Sequence, residues 1–280
     1  MEIKRDRANC TIELSQEQYI EQILERHGMA DCRPVSTPMA QNQKLTKLAE
    51  PEIDAQEYQR ALGSLMYAML GTRPDIAYSV GILSQHAAKP GEEHWGALMR
   101  VYRYLRGMSD RKLVYQGAKG ESKSFPDPVC FVDADWAADI NDRRSISGYT
   151  FIMSGGAVCW SSKKQKSTAL SSTEAEYMAA SNATKEAIWI RTFLSELGQL
   201  TSGPTTLFID NQSAMALAKN AAFHDRTKHI AVRHHFIREK LEDDEIDVHY
   251  VPTGDQTADV LTKGLSREKH ERFIAGMGMV

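Results

Sequence analysis

Cysteine is scarce in this chain, and the four present, Cys10, Cys32, Cys130 and Cys159, stand far apart with no close Cys or His neighbour. That spacing excludes a zinc ribbon or finger and leaves ordinary thiols. Long apolar runs are missing too. None reaches the roughly 18–20 residues needed to span a bilayer, and Met1-Glu2-Ile3-Lys4-Arg5-Asp6-Arg7 is charged where a secretory leader would turn apolar. The expected address is therefore cytoplasmic or nuclear, with no membrane partner. A surplus of positive charge is also lacking: 34 Lys and Arg stand against 37 Asp and Glu, a net charge of −3. Binding of nucleic acid through overall charge is excluded, and any such binding must come from local patches. What remains, 280 residues with 42% apolar and 25% charged, is long enough for two packed globular domains.

The first half reads as helical. Gln16–His27 carries Tyr19, Ile20, Ile23 and Leu24 at helical spacing between Ser15 and Gly28. After a loop with Pro34 and Pro38, the stretches Glu57–Leu70, Asp75–Ala88 and Glu92–Arg106 offer three more helices, punctuated by Gly71, Pro74, Pro90, Gly91 and Gly107. Met66, Tyr67, Met69, Trp95 and Tyr102 are expected as core. Gly117–Pro128, with Gly, Ser, Lys and two prolines, reads as a linker. Beyond it the period changes. Strands are predicted at Val129–Asp133, Gly148–Met153, Ala157–Ser161, Thr205–Asp210 and Ile246–Val251. Helices are predicted at Thr173–Leu197, Asn211–Lys219, His229–Leu241 and Gln256–Lys263. Three strands, a helix, then alternating strands and helices describe a mixed-sheet α/β domain.

Four acids fall where acids are unexpected. Asp133 and Asp210 end apolar strands, Glu176 lies in the first turns of the long helix, and Asp259 sits near the start of the closing helix. A single strand-ending carboxylate is usually a turn or cap residue. Four in this order point instead to the crevice at the carboxyl ends of a sheet, where clustered hard oxygens suit Mg²⁺ or Mn²⁺ rather than zinc. Two basic runs, Ser161–Lys166 and His224–His229 with Arg233-His234-His235 behind it, are the candidate contacts to a phosphate backbone.

Val132-Asp133-Ala134-Asp135-Trp136, Ser171-Ser172-Thr173-Glu174-Ala175-Glu176-Tyr177, Ile209-Asp210-Asn211 and Ala258-Asp259-Val260-Leu261-Thr262-Lys263 together resemble the ribonuclease H domain of copia-type retrotransposons. The likeness continues through Arg143-Arg144-Ser145, Trp160–Gln165 and Arg226–Ile230, so it covers nearly all of 128–265. It implies a ribonuclease H-like five-stranded mixed sheet with flanking helices. It also implies two Mg²⁺ or Mn²⁺ ions on Asp133, Glu176, Asp210 and Asp259, and hydrolysis of the RNA strand of an RNA–DNA hybrid. Lys163, Lys164, Arg226 and Lys228 would be the nucleic-acid contacts. The family pattern selects Asp133 over Asp135, and Glu176 over the runner-up Glu174.

Upstream, Met1–Arg5, Leu14–Gln16, Pro34–Pro38, Gly63–Tyr67, Gly71–Tyr78 and Arg100–Gly107 resemble the end of a copia reverse transcriptase, its thumb and connection. The implied plan is a mainly helical reverse-transcriptase remnant at 1–116, a linker at 117–127, the ribonuclease H-like domain at 128–265 and a tail helix at 266–280, the last resembling the natural end of the polyprotein. No Tyr-x-Asp-Asp element occurs anywhere. DNA synthesis is therefore not expected, and the polymerase part of the polyprotein would be a partner. The loop Val251-Pro252-Thr253-Gly254-Asp255 lacks the His that cellular enzymes of this fold often carry there, which implies slow turnover.

Two other readings stand beside this one. The chain could be a catalytically idle retroelement remnant. Alternatively, Arg103-Tyr104-Leu105-Arg106 spells the Arg-x-Leu-Arg of oomycete host-translocated effectors, with Arg103, Leu105 and Arg106 as the translocation motif of a protein secreted into a host cell.

Overall fold

The computed structural model of the chain describes residues 1–117, 126–199, 202–219 and 231–280. Four helices form the first half: α1 (Glu17–Arg26), α2 (Ala55–Gly71), α3 (Ala77–Ser84) and α4 (Glu92–Gly107). Each follows its apolar spacing. Ile20, Ile23 and Leu24 of α1, Tyr58, Leu62 and Leu65 of α2, and Leu98, Val101, Tyr102 and Leu105 of α4 meet in one buried cluster. The Asp54 side chain caps α2 by accepting from the Gln56 amide at 2.8 Å. The third helix is shorter than its pattern suggests, because Pro74–Ile76 forms a 3-10 turn ahead of it.

Three short strands were not legible as such. Strands β1 (Glu2–Asp6) and β2 (Thr11–Ser15) form an antiparallel hairpin, to which β3 (Leu113–Gln116) adds along β2. β1 is exposed throughout and carries a single large apolar residue, Ile3, so nothing in its composition marks a strand. Pairing with β2 creates it.

The second half is the expected mixed sheet: β4 (Val129–Asp135), β5 (Ile146–Met153), β6 (Gly156–Lys164), β7 (Thr205–Ile209) and β8 (Ile246–Tyr250), in the order β6-β5-β4-β7-β8. β4, β5 and β6 run antiparallel, whereas β7 and β8 join β4 in parallel. Helix α5 (Ser172–Glu196) covers one face, accompanied by α6 (Gln212–Lys219) and α7 (Ala231–Glu242). Cys130 and Val132 of β4, Leu207 and Ile209 of β7, and Tyr177, Met178, Ala183 and Ala187 of α5 share this core. The predicted closing helix is a 3-10 turn over Thr257–Leu261, and α8 (Arg267–Gly276) follows it. Residues 118–125 of the Gly117–Pro128 stretch lie outside the described residues.

The halves are in close contact. Leu113 of β3, Ala157 of β6, Val260 and Leu261 of the 3-10 turn, and Phe273, Met277 and Met279 near the end of the chain form a third cluster. Beside it lies a wholly buried polar chain. The Arg73 guanidinium donates to both Asp75 oxygens (Nε to Oδ1 3.0 Å, Nη2 to Oδ2 2.7 Å) and to the Met108 carbonyl at 2.7 Å. The Tyr104 hydroxyl donates to Asp75 Oδ2 at 2.7 Å, and His270 Nε2 of α8 lies 3.0 Å from that hydroxyl. Burial lowers the His270 pKa to about 4, so the ring is neutral, and with the Tyr104 proton spent on Asp75 it is Nε2–H that donates.

Removing one partner of a buried pair strands the other charge. Asp75→Ala should cost about 3–5 kcal/mol of stability and Tyr104→Phe about 1–3 kcal/mol, read from urea unfolding of the full chain. Costs within error of zero for Asp75→Ala would mean that the network contributes nothing.

Candidate active site

Parallel pairing of β4 with β7 aligns Val132 with Ile209, so the residues that follow them, Asp133 and Asp210, emerge at the same end of the sheet. Helix α5 delivers Glu176 to that point from the side. Its Oε1 accepts from the Ala134 backbone amide at 3.2 Å, which ties the helix to β4. Oxygens of Asp133, Glu176 and Asp210 lie within 4.8 Å of one another. Asp133 and Glu176 are buried and Asp210 is half-buried.

The fourth acid arrives on the 3-10 turn. The Gln256 amide donates to the Val132 carbonyl at 2.8 Å and lies 3.4 Å from that of Phe208, so it pins the start of the turn across both strands. Gly148 of β5, opposite Asp133 in the ladder, makes room for the turn: a Cβ there would stand 2.7 Å from Thr262 Cγ2 and 2.8 Å from Leu261 Cβ. Asp259 does not join the other three. Its Oδ1 is 2.9 Å from Lys263 Nζ, and the same ammonium is 3.5 Å from Asp133 Oδ2. The Thr262 hydroxyl also donates to Asp133 Oδ2.

This concentration of charge perturbs every member for which a shift is resolved. Burial first, then the charges of Asp133 and Asp210, raise Glu176 well above the ordinary carboxylate range. Burial also raises Asp210. Asp259 is pushed up to about 7 by burial and by Asp133, with Lys263 acting in the opposite sense. Glu176 Oε2 is buried and has no hydrogen-bond partner. An orphaned carboxylate oxygen facing two further carboxylates is a donor set for a hard divalent cation, and the residues fit Mg²⁺ or Mn²⁺.

The remaining candidate residues take different places. Glu174 stays at the helix start, where its Oε2 accepts from the Leu170 amide at 2.7 Å and its own amide donates to Ser171. Lys163 is exposed on the edge strand β6. Lys164 is tied to Asp139 at 2.7 Å and Asp142 at 3.0 Å, so its charge goes into ordering the loop after β4. Arg226 and Lys228 lie outside the described residues. On α4, Leu105 is fully buried, while Arg103 and Arg106 donate to the carbonyls of Arg33 and Ala30. The sequence reading gave no role to Lys263, Thr262, Gln256 or Gly148. Only Lys263 carried a readable signal, its i+4 spacing from Asp259.

Sheet order, the helix lying over β4 and acids gathered at the strand ends define a ribonuclease H-like α/β protein. No family model matches the chain. Over 288 residues it is 46% identical to the retrovirus-related Pol polyprotein from transposon TNT 1-94 of Nicotiana tabacum, covering 100% of this chain and 21% of that protein. Over 279 residues it is 41% identical to the Pol polyprotein from transposon RE2 of Arabidopsis thaliana, covering 99% of this chain and 19% of that protein. The chain belongs to the copia-type Pol polyprotein family, and spans 21% and 19% of the length of these two relatives. A stretch of 133 residues is 52% identical to secreted RxLR effector protein 161 of Plasmopara viticola, covering 48% of this chain and 90% of that one. Among solved structures, LC11-RNase H1 in complex with RNA/DNA hybrid aligns with a TM-score of 0.37 at 15% identity, over 48% of this chain and 93% of that one.

The raised acids set a pH dependence of stability. Between the unfolded value of 3.8 and about 7, the folded chain holds a proton on Asp259 that the unfolded chain has lost. Stability from this group is complete below that window and falls as pH rises through it. Melting temperatures of the chain without divalent ions should fall between pH 4.5 and 8 more steeply than those of Asp259→Asn, and Mg²⁺ at pH 8 should restore part of the loss. Parallel profiles for the two proteins would sink this account.

Proposed function

We propose that residues 128–265 act as a ribonuclease H that hydrolyses the RNA strand of RNA–DNA hybrids, preceded by a reverse-transcriptase-derived segment at 1–116 that makes no DNA. The observation that carries this reading is the convergence of Asp133, Glu176 and Asp210 within 4.8 Å, with an oxygen of Glu176 left unpartnered. These three and Asp259 would hold two Mg²⁺ or Mn²⁺ ions. Bound there, the ions would supply Lewis acidity to the scissile phosphodiester and lower the pKa of the attacking water. Asp133 and Glu176 fix the site to β4 and α5, and the 3-10 turn brings Asp259 in from the opposite side. Hybrids would be told apart by ribose 2′-hydroxyls across the minor groove, with exposed Lys163 as a phosphate contact. A cytoplasmic or nuclear address, and association with the polymerase part of a Pol polyprotein, belong to the same proposal.

Purified chain should cleave a labelled RNA–DNA hybrid only when Mg²⁺ or Mn²⁺ is added. Asp210→Asn should bring cleavage to background while circular dichroism is unchanged, because a charge is lost at constant volume. Loss of folded signal in that variant would recast Asp210 as a structural residue. Absence of cleavage by the wild type, with metal bound, would favour the idle-remnant reading.

A second reading has one observation in its favour, the 52% identity to a relative named as a secreted RxLR effector. The burial of Leu105 and the engagement of Arg103 and Arg106 with backbone carbonyls count against display of the tetrapeptide. A reporter fused to the chain and expressed in an oomycete should be retained in its cells. Secretion and host uptake dependent on Arg103 and Arg106 would establish the effector role instead.

A further inference from the structure

The four acids fall into two groups. Asp133, Glu176 and Asp210 face one another, and among the described residues neither Glu176 nor Asp210 makes an ion pair, whereas Asp259 is turned to Lys263. The Lys263 ammonium lies between Asp259 Oδ1 at 2.9 Å and Asp133 Oδ2 at 3.5 Å. It therefore occupies the space between the two carboxylates that a second divalent ion would have to share.

Accessibility points the same way. The carboxylate side chains of Asp133 and Asp259 are 3% and 2% exposed, but the lysine side chain is 34% exposed. Of the three partners only Lys263 has a path to solvent. Its flexible stem allows the head to leave without any change in the backbone of the turn. Thr262, the residue before it, keeps Asp133 in place through a separate hydrogen bond. Departure of the ammonium thus leaves Asp133 held by Thr262. An i,i+4 pair made only for stability, such as Arg267 with Glu271 on the exposed face of α8, has no third group to share.

Resting on the nuclease reading, we propose that Lys263 is a resident cation of the active site. It neutralises the Asp133–Asp259 pair when that half is free of metal, and a second divalent ion binds only by displacing it. The first ion binds at Asp133, Glu176 and Asp210, where the ammonium reaches only Asp133, at 3.5 Å, and so meets less of this competition. Loading is consequently sequential, and the second ion binds more weakly because a tethered charge competes for its place.

The test is Mn²⁺ binding by the full chain in the absence of substrate, followed by calorimetry and by electron paramagnetic resonance of free Mn²⁺. Wild type should bind one ion tightly and a second weakly. Lys263→Met should bind the second about tenfold or more tightly, with the first tightened less, and Lys263→Arg should keep the weak second site. If Lys263→Met does not fold, Lys263→Gln, neutral and of similar length, is read in the same way. Asp210→Asn should lose the tight ion, which reports on the carboxylate cluster independently of the lysine. Superimposable isotherms for wild type and the neutral variant, with the tight ion still lost in Asp210→Asn, would overturn the role of Lys263 and leave the nuclease reading intact. No Mn²⁺ bound by either protein would overturn both.

Discussion

Like charges held a few ångströms apart out of water repel strongly, and the oxygens of Asp133, Glu176 and Asp210 lie within 4.8 Å of one another. Most of what surrounds them can be understood as holding that arrangement together. Parallel pairing of β4 with β7 sets two acids side by side, and the Ala134 amide anchors the third. The Gln256 amide grips both strands just below the acids, and Thr262 fixes one oxygen of Asp133. Raised proton affinity at Glu176, Asp210 and Asp259 is the residual stress that these contacts leave. A ligand of opposite charge would relieve it.

The contact between the halves gives the same site a second support. The turn carrying Asp259 packs through Val260 and Leu261 against Phe273, Met277 and Met279, and α8 is tied by His270 to the Tyr104–Asp75–Arg73 chain. An acid needed at the sheet is thereby positioned partly by residues of α4 and the loop before α3. Charged groups inside a fold contribute little net stability, but they allow few alternative packings when every donor is matched. Arg73 satisfies this condition through Asp75 and the Met108 carbonyl.

Much of this was legible in the sequence, for a physical reason. Short apolar strands ending in an acid, such as Val129–Asp133 and Thr205–Asp210, are hard to read any other way, and the long helix expected at Thr173–Leu197 forms over Ser172–Glu196. What escaped notice depended on partners distant in sequence. β1 and β3 exist because β2 lies between them, and no periodicity within β1, four of whose five residues are charged, reveals that. The stretch Gln256–Lys263 was expected as a helix, yet Gln256 and the sheet beneath it impose a tighter winding over Thr257–Leu261. Lys164 looked like a phosphate contact because its run is basic, but Asp139 and Asp142, more than twenty residues earlier, claim it. Glu176 was selected over Glu174 by the family pattern alone, and the physical distinction is that Glu176 meets Asp133 and Asp210 whereas Glu174 accepts from the Leu170 amide.

Gly148 carries an implication of a different kind. The spacing between the sheet and the Asp259 turn is that of a hydrogen atom, since a methyl group at Gly148 would stand 2.7 Å from Thr262 and 2.8 Å from Leu261. Sheet and turn can approach this closely only while the position stays bare. A family lineage that acquired any side chain there would have its fourth carboxylate lifted away with all four acids still in place. The gene would read as intact by its acids, and the damage would be visible only in a position that contributes no functional group at all.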